Sequence, residues 1–277
     1  MATTSTLMQG MPSISDAEFA RFKGFIYDMA GITLTDSKKA LVSGRLLKRL
    51  NQLQCRNYGE YFELLTRNRD TAEAQMAVDL LTTNETFFFR EKSHFDFLLA
   101  QAEAARRDRY PLRVWSAACA SGEEAYSIAM TLSESMPDLP WSVLASDISL
   151  RMLARARSGH YPESRSTHTP PHYRKRYCLR GTGAQSGTLL VDRELRQRVQ
   201  FQHINLNRPL PGDLGEFDVI FLCNVMIYFS VETKRAVVAR LLMQLRRGGF
   251  LLVGHSETLN DISTEVVPVS PSIYRRR

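Results

Sequence analysis

Long apolar runs, paired cysteines and metal-like histidine sets are scarce in this chain, and each scarcity closes off a class of protein. No uninterrupted apolar segment approaches the roughly 20 residues that span a bilayer as a helix, and Met1-Ala2-Thr3-Thr4-Ser5-Thr6 carries no basic-then-apolar leader pattern. Neither a transmembrane protein nor a secreted one is expected. The 277 residues include only four cysteines, Cys55, Cys119, Cys178 and Cys223, scattered without paired spacing. This excludes a disulfide framework and a cysteine zinc cluster, and it fits the reducing cytoplasm. His160, His168 and His172 lack a metal-like partner set, and His255 in Gly254-His255-Ser256-Glu257 reads as structural, so no metal is expected. Gly-x-Ser-x-Gly is absent and nothing marks Cys119 or Cys223 as an activated nucleophile.

What is present is an ordinary globular composition, 44% hydrophobic, in a chain long enough for one large domain and a smaller one. The net charge is +7, and its distribution is uneven. Basic residues concentrate from Lys38 to Arg56 and from Arg151 to Arg180, where Glu163 is the only acid. Two basic surfaces and an acidic partner are implied, although charge alone does not separate RNA, a membrane surface and an acidic protein.

Residues from about Ser15 to Leu81 read as helices. Phe19, Phe22, Phe25 and Ile26 share a face, and Ser15 with Glu18 forms a capping-box pattern. A second helix starts near Asp36; on it Lys38, Arg45 and Arg49 fall in one stripe beside Val42, Leu46 and Leu50. That stripe is either a solvated face or a docking surface. From Tyr110 onward, strand and helix alternate: strands at 112–116, 141–146, 217–222 and 249–253, helices from Glu123, over 149–157 and over 231–245. This is the pattern of a doubly wound α/β sheet. The long interruption from His160 to Gln200 reads as a small subdomain, with two short strands at 179–183 and 187–191.

The chemistry concentrates at the strand ends. Val114-Trp115-Ser116-Ala117-Ala118-Cys119-Ala120-Ser121-Gly122-Glu123-Glu124 runs from an apolar strand through small residues into a helix start, a ligand cradle at the carboxyl edge of a sheet. Glu123 and Glu124 suit the helix dipole, yet they would repel a pyrophosphate. They point to a cation or ribose hydroxyls, hence to a positively charged nucleoside such as S-adenosylmethionine. Asp147 closes the next strand, where it either meets a ribose or caps the following helix. Thr82-Thr83-Asn84-Glu85-Thr86-Phe87-Phe88-Phe89-Arg90-Glu91 combines three aromatics with polar flanks; a buried plug would explain the aromatics but not Asn84, Thr86 and Arg90. Arg90 offers a planar fork for a carboxylate. Asn224 and Tyr228 follow a buried-looking strand and should emerge at the same edge, a core role being the alternative for Tyr228.

Taken together, Thr83 to Glu91, Trp115 to Glu124, Ala145-Ser146-Asp147-Ile148-Ser149, Asn224-Val225-Met226-Ile227-Tyr228-Phe229 and Gly254-His255-Ser256-Glu257 resemble the CheR family of chemotaxis receptor methyltransferases. The likeness keeps its order over nearly the whole chain. It implies a helical N-terminal domain with its linker over 1–90, a Rossmann-like class I methyltransferase domain over 91–277, and an antiparallel β-subdomain inserted at about 161–200. It also implies transfer of a methyl group from S-adenosylmethionine to receptor glutamates, leaving S-adenosylhomocysteine. By the same resemblance, Asn84, Thr86, Arg90, Glu123, Asp147, Asn205, Leu206, Cys223 and Asn224 line the cofactor, and Arg90 and Tyr228 lie nearest the transfer. The basic helix, with Lys38, Arg45, Lys48 and Arg49, faces the acidic methylation region. Arg180, Gly181 and Gly183 belong to the subdomain, which in some members docks a C-terminal receptor pentapeptide by strand addition. Two positions differ: Leu222-Cys223-Asn224-Val225 stands where Cys-Arg-Asn-Val is common, and Ala120 where a hydroxyl residue is common.

The alternatives are an RNA methyltransferase, suggested by the basic surfaces, and a non-catalytic cofactor-binding receptor adaptor. Asn224-Val225-Met226-Ile227 is not the Asn-Pro-Pro-Tyr type of turn found in many amino-group methylators of nucleic acids, so no nucleic-acid partner is expected. Membrane insertion is not expected either.

Overall fold

The computed structural model describes residues 13–67 and 72–277, in two compact units divided after Leu81. The first unit is helical: α1 (Asp16–Ala30), α2 (Lys39–Gln52), α3 (Tyr58–Arg67) and α4 (Ala72–Leu81). The capping box forms as the sequence predicts, Ser15 Oγ accepting from the Glu18 N–H and the Glu18 carboxylate accepting from the Ser15 N–H. Phe22, Ile26, Val42, Leu46, Leu50, Tyr58, Tyr61 and Leu65 make its core, with Phe22 stacked on Tyr61.

The second unit begins at Thr82, so Thr82 to Arg90 belongs with the sheet domain rather than with the helices before it. In order it contains α5 (Lys92–Arg107), β1 (Leu112–Ala117), α6 (Glu123–Ser135), β2 (Trp141–Asp147), α7 (Leu150–Ser158) and β3 (His160–Pro162). Then come α8 (Pro171–Tyr177), β4 (Cys178–Arg180), β5 (Thr188–Val191), α9 (Arg193–Gln197), β6 (Val199–His203) and β7 (Phe217–Leu222). It closes with α10 (Val231–Gln244), β8 (Leu245–Val253), β9 (Val266–Ser270) and β10 (Ile273–Arg276).

Seven strands form one sheet in the order β6-β2-β1-β7-β8-β10-β9, the first five parallel and the last two antiparallel. The chain moves outward from β1 to β2 on one side and later to β7 on the other, so the strand order reverses between β1 and β7. Ligands of doubly wound sheets bind outside the carboxyl ends at such a switch point. Apolar side chains pack on both faces, which is why β7 reads as the unbroken apolar run Val219-Ile220-Phe221-Leu222. Trp115 is fully buried, its Nε1 donating to Ser146 Oγ at 2.9 Å, and so it ties β1 to β2 beneath the site.

The interruption folds as a separate antiparallel sheet of order β3-β5-β4. The two expected strands are β4 and β5; β3, directly after α7, is an addition that the short His160-Tyr161-Pro162 stretch did not signal. No helix among the described residues is long and apolar enough to cross a membrane.

Candidate active site

Four adjacent parallel strands, β6, β2, β1 and β7, end on one edge, and each delivers a polar residue there: Asn205, Asp147, Glu123 and Asn224. The loop after β1 is conformationally demanding, since Ala118, Ala120 and Gly122 all adopt positive φ (75°, 48° and 94°). Its backbone is pinned to β2. The N–H groups of Ala118 and Cys119 donate to Ser146 O at 2.8 Å each, and the Ala120 N–H donates to Asp147 Oδ2 at 2.8 Å. Asp147 Oδ1 accepts from the Ser149 N–H at 2.8 Å. Asp147 therefore organises the loop and also presents a buried carboxylate at the edge. Gly122 is required by packing: a Cβ there would lie 2.8 Å from Ala156 Cβ and 3.1 Å from the Tyr161 hydroxyl. The glycine lets the loop sit on α7, a different reason from the close ligand approach that the sequence suggested.

Glu123, the first residue of α6, is 1% exposed, and its carboxylate accepts from Ser121 Oγ at 2.7 Å. Burial raises its pKa above the usual carboxylate range. Burial also pushes Glu124 up to about 7, against a 2.7 Å hydrogen bond from Ser116 Oγ. Arg165 reaches back from the interruption: Nη1 lies 4.0 Å from Glu123 and 3.5 Å from Glu85, and donates to Thr86 O. Sequence reasoning missed Arg165, because it lies some 80 residues from the segment it binds and belongs to no motif.

The aromatic segment is both anchor and site. Phe88 is buried edge-on against Tyr161, and Phe89, at φ 56°, stacks on Tyr173 while its N–H donates to Ser127 Oγ at 2.9 Å. These contacts fix the flanking polar residues on the sheet domain. Thr86 is buried, Asn84 Nδ2 donates to Thr82 Oγ1 at 3.2 Å, and Arg90 Nη1 donates to Glu85 O at 2.7 Å. Arg90 also lies over the Phe87 ring, 5.8 Å from its centroid.

At the end of β7 the turn through Asn224 (φ 58°) and the single helical turn Met226–Tyr228 is held by Glu257. Glu257 Oε2 accepts from the N–H groups of Asn224 (2.9 Å) and Gly254 (2.6 Å), and Oε1 accepts from the Ile227 N–H (3.1 Å). Burial moves its pKa up, while these backbone amides pull it down. Gly254 is obligatory beside this clamp, because a Cβ would come within 2.5 Å of Asn224 Nδ2. The Gly254 to Glu257 motif carries the resemblance, but sequence alone assigns no role to its acid. Asn224 Nδ2 donates to Glu91 Oε1 at 3.0 Å, tying β7 to the aromatic segment. Tyr228 is half-buried on this turn. Cys223 is half-buried, and burial together with the nearby carboxylates of Glu124 and Glu91 raises its thiol pKa well above the ordinary value. Asn205 and Leu206 follow β6; the Ile204 N–H donates to Asp147 O at 3.2 Å, and Leu206 is buried.

The expected substrate-side residues divide by environment. In the helical unit Arg49 forks onto Glu73, and Arg45 Nη1 donates to Leu81 O at 2.8 Å, so both help hold that unit together. Lys38 and Lys48 are exposed. In the small sheet Arg180 is exposed on β4, 3.9 Å from Glu163. The Gly181 N–H donates to Thr188 O at 2.8 Å, and its Cα has no room for a side chain, a Cβ falling 1.9 Å from Gln185 O. Gly183 follows with φ 56°.

A family model described as CheR methyltransferase, SAM binding domain, matches residues 84–274, and one described as CheR methyltransferase, all-alpha domain, matches residues 17–82. The chain belongs to the CheR methyltransferase family. A chemotaxis protein methyltransferase of Salmonella typhimurium is 41% identical, the alignment covering 98% of this chain and 94% of that protein. Its Escherichia coli counterpart is 40% identical over 98% and 95%. Chemotaxis protein methyltransferase 2 of Pseudomonas aeruginosa is 42% identical over 93% and 92%. The CheR-family chain is thus an S-adenosylmethionine-dependent methyltransferase, and the RNA-methylating and non-catalytic readings are set aside. The donor chemistry fits the cofactor: two buried carboxylates, Glu123 and Asp147, at adjacent strand ends suit a cationic nucleoside with ribose hydroxyls.

Proposed function

We propose that this CheR-family enzyme methylates glutamate side chains in the cytoplasmic domain of chemoreceptors, acting in the cytoplasm, for chemotactic adaptation. The observation that supports it most is the convergence of Asn205, Asp147, Glu123 and Asn224 on one sheet edge, with Arg90 fixed beside them by the buried aromatics. S-adenosylmethionine would supply an electrophilic methyl group on a sulfonium. Asp147 and Glu123 would bind its polar groups, with Asn84, Thr86, Asn205, Leu206, Cys223 and Asn224 lining it.

The acceptor needs little proton chemistry, because a glutamate with a pKa of about 4.3 is already an anion at neutral pH. No general base is required of the protein. Its residues orient the carboxylate along the line of attack and exclude water; orientation of this kind contributes about 7–11 kcal/mol in favourable cases. Arg90 and Tyr228 hold the reactants in that alignment.

Two surfaces would bring the receptor. Lys38 and Lys48 are exposed for an acidic methylation region, with Arg45 and Arg49 behind them. The edge strand β4 carries Leu179, 57% exposed, beside a 220 Å³ cleft bordered by Arg174, Lys175 and Arg180. An extended C-terminal peptide would add there as a further strand, its carboxylate meeting the basic side chains. Offering tritiated S-adenosylmethionine with a receptor signalling domain or with total RNA tests the acceptor class. Label in the protein supports the reading, and label in RNA alone overturns it.

A further inference from the structure

We propose that Glu91, His94 and His255 form a binding site for a divalent transition metal of the zinc class, a site that the methyl-transfer reading does not require and that is independent of the acceptor. Sequence spacing hides it, because Glu91 and His255 lie 164 residues apart. In the fold, one ligand atom from each of Glu91, His94 and His255 lies within 4.8 Å of the other two. Glu91 Oε2 is 3.3 Å from His94 Nδ1, whereas the Cys223 thiol, which donates to Leu252 O at 3.8 Å, stands outside the cluster. With metal–oxygen and metal–nitrogen bonds of about 2.1 Å, tetrahedral oxygen and nitrogen ligand atoms stand about 3.4 Å apart. The Glu91–His94 spacing agrees to within a few tenths of an ångström.

The carboxylate contact is not a hydrogen bond. Glu91 Oε2 is buried without a hydrogen-bond partner, whereas Oε1 accepts from Asn224 Nδ2 at 3.0 Å and from the His255 N–H at 3.1 Å. One oxygen is oriented by outer partners and the other is left as a buried acceptor facing an imidazole, the arrangement expected of a carboxylate ligand. Ser93 Oγ lies 2.9 Å from His255 Nε2, which orients that ring from outside. His94 is 1% exposed at the closed end, while His255 is exposed and opens the entry path. Two imidazoles and one carboxylate, leaving a fourth position for solvent, select zinc-class ions over magnesium or calcium.

The test is titration of the full-length, metal-free protein with Co²⁺ under a phosphine reductant. One Co²⁺ per chain is expected, with the intense visible bands of four-coordinate cobalt, abolished by added Zn²⁺. His255→Ala, at an exposed position that does not threaten folding, should bind Co²⁺ at least ~10-fold more weakly, since even outer-shell partners are worth 10–100-fold. Binding no tighter than that of His255→Ala, or weak six-coordinate bands, would overturn the proposal. Methyl transfer is not read in this titration, so its result stays separate from that of the methylation assay.

Discussion

Replacing Glu257 by Gln should cripple turnover without unfolding the protein. The carboxylate takes three backbone N–H groups, two on Oε2 and one on Oε1, and so fixes the turn that carries Asn224 and Tyr228. A glutamine can present its carbonyl oxygen to Asn224 and Gly254, but its NH₂ then confronts the Ile227 N–H. One charge-assisted bond, worth ~1.5–3 kcal/mol, is lost and two others weaken by ~1 kcal/mol each. Relief of the cost of burying the charge offsets part of this, leaving ~2–4 kcal/mol against the native turn. If the strain is released by shifting the turn, the productive geometry becomes ~30-fold to several hundred-fold rarer. Glu257 is a positioning residue in this account, so kcat should fall by about that factor while KM for the receptor changes little, and affinity for S-adenosylhomocysteine should drop less than kcat. Steady-state methyl transfer, calorimetry and a thermal melt separate these effects. A folded Glu257→Gln enzyme with kcat within twofold of wild type would refute the reasoning.

Asp147→Ala should weaken S-adenosylhomocysteine binding by calorimetry, both by removing a carboxylate from the edge and by freeing the Ala120 and Ser149 N–H groups; unchanged affinity would dismiss its assigned role. Gly122→Ala, at φ 94° and against Ala156, should lower stability by ~1–3 kcal/mol in denaturant titration. Glu73→Gln should destabilise the helical unit by ~1.5–3 kcal/mol at pH 7, since Glu73 is 12% exposed and accepts from both Arg49 and Tyr61. The Arg49 guanidinium, with Tyr61, holds the Glu73 carboxyl below its ordinary value. Its contribution is therefore complete above the unfolded value near ~4.3 and is lost as pH falls through the lower folded value. Wild type and variant should converge in stability toward acid pH.

Sequence legibility followed the range of the interactions. The Ser15–Glu18 cap and the helix from Ser149 depend on bonds three residues apart and were readable as local patterns. The four central strands were readable because burial on both faces leaves each an apolar stretch, Val114-Trp115, Val143-Leu144-Ala145, Val219-Ile220-Phe221-Leu222 and Phe250-Leu251-Leu252-Val253. The outer strands were not: of the five residues of β6 only Val199 is buried, and β9 and β10 are short and antiparallel. On α2, Arg45 and Arg49 share a stripe with Lys38 and also bond within the unit. A helical wheel shows a cation but not the acid on α4 that neutralises it. In the site, the polar residues of single motifs were recognisable, whereas Arg165 with Glu123, Glu257 with Asn224 and Glu91 with His255 meet only through the β-sheet crossovers.

The most direct test of the central claim is the chemistry of the transferred methyl group. Incubated with tritiated S-adenosylmethionine and a receptor signalling domain, the enzyme should label glutamates as methyl esters, so that mild alkali releases the label as volatile methanol and mass spectrometry places it on glutamate. Alkali-stable label on the receptor domain, or none under conditions where S-adenosylhomocysteine binds, would contradict the account.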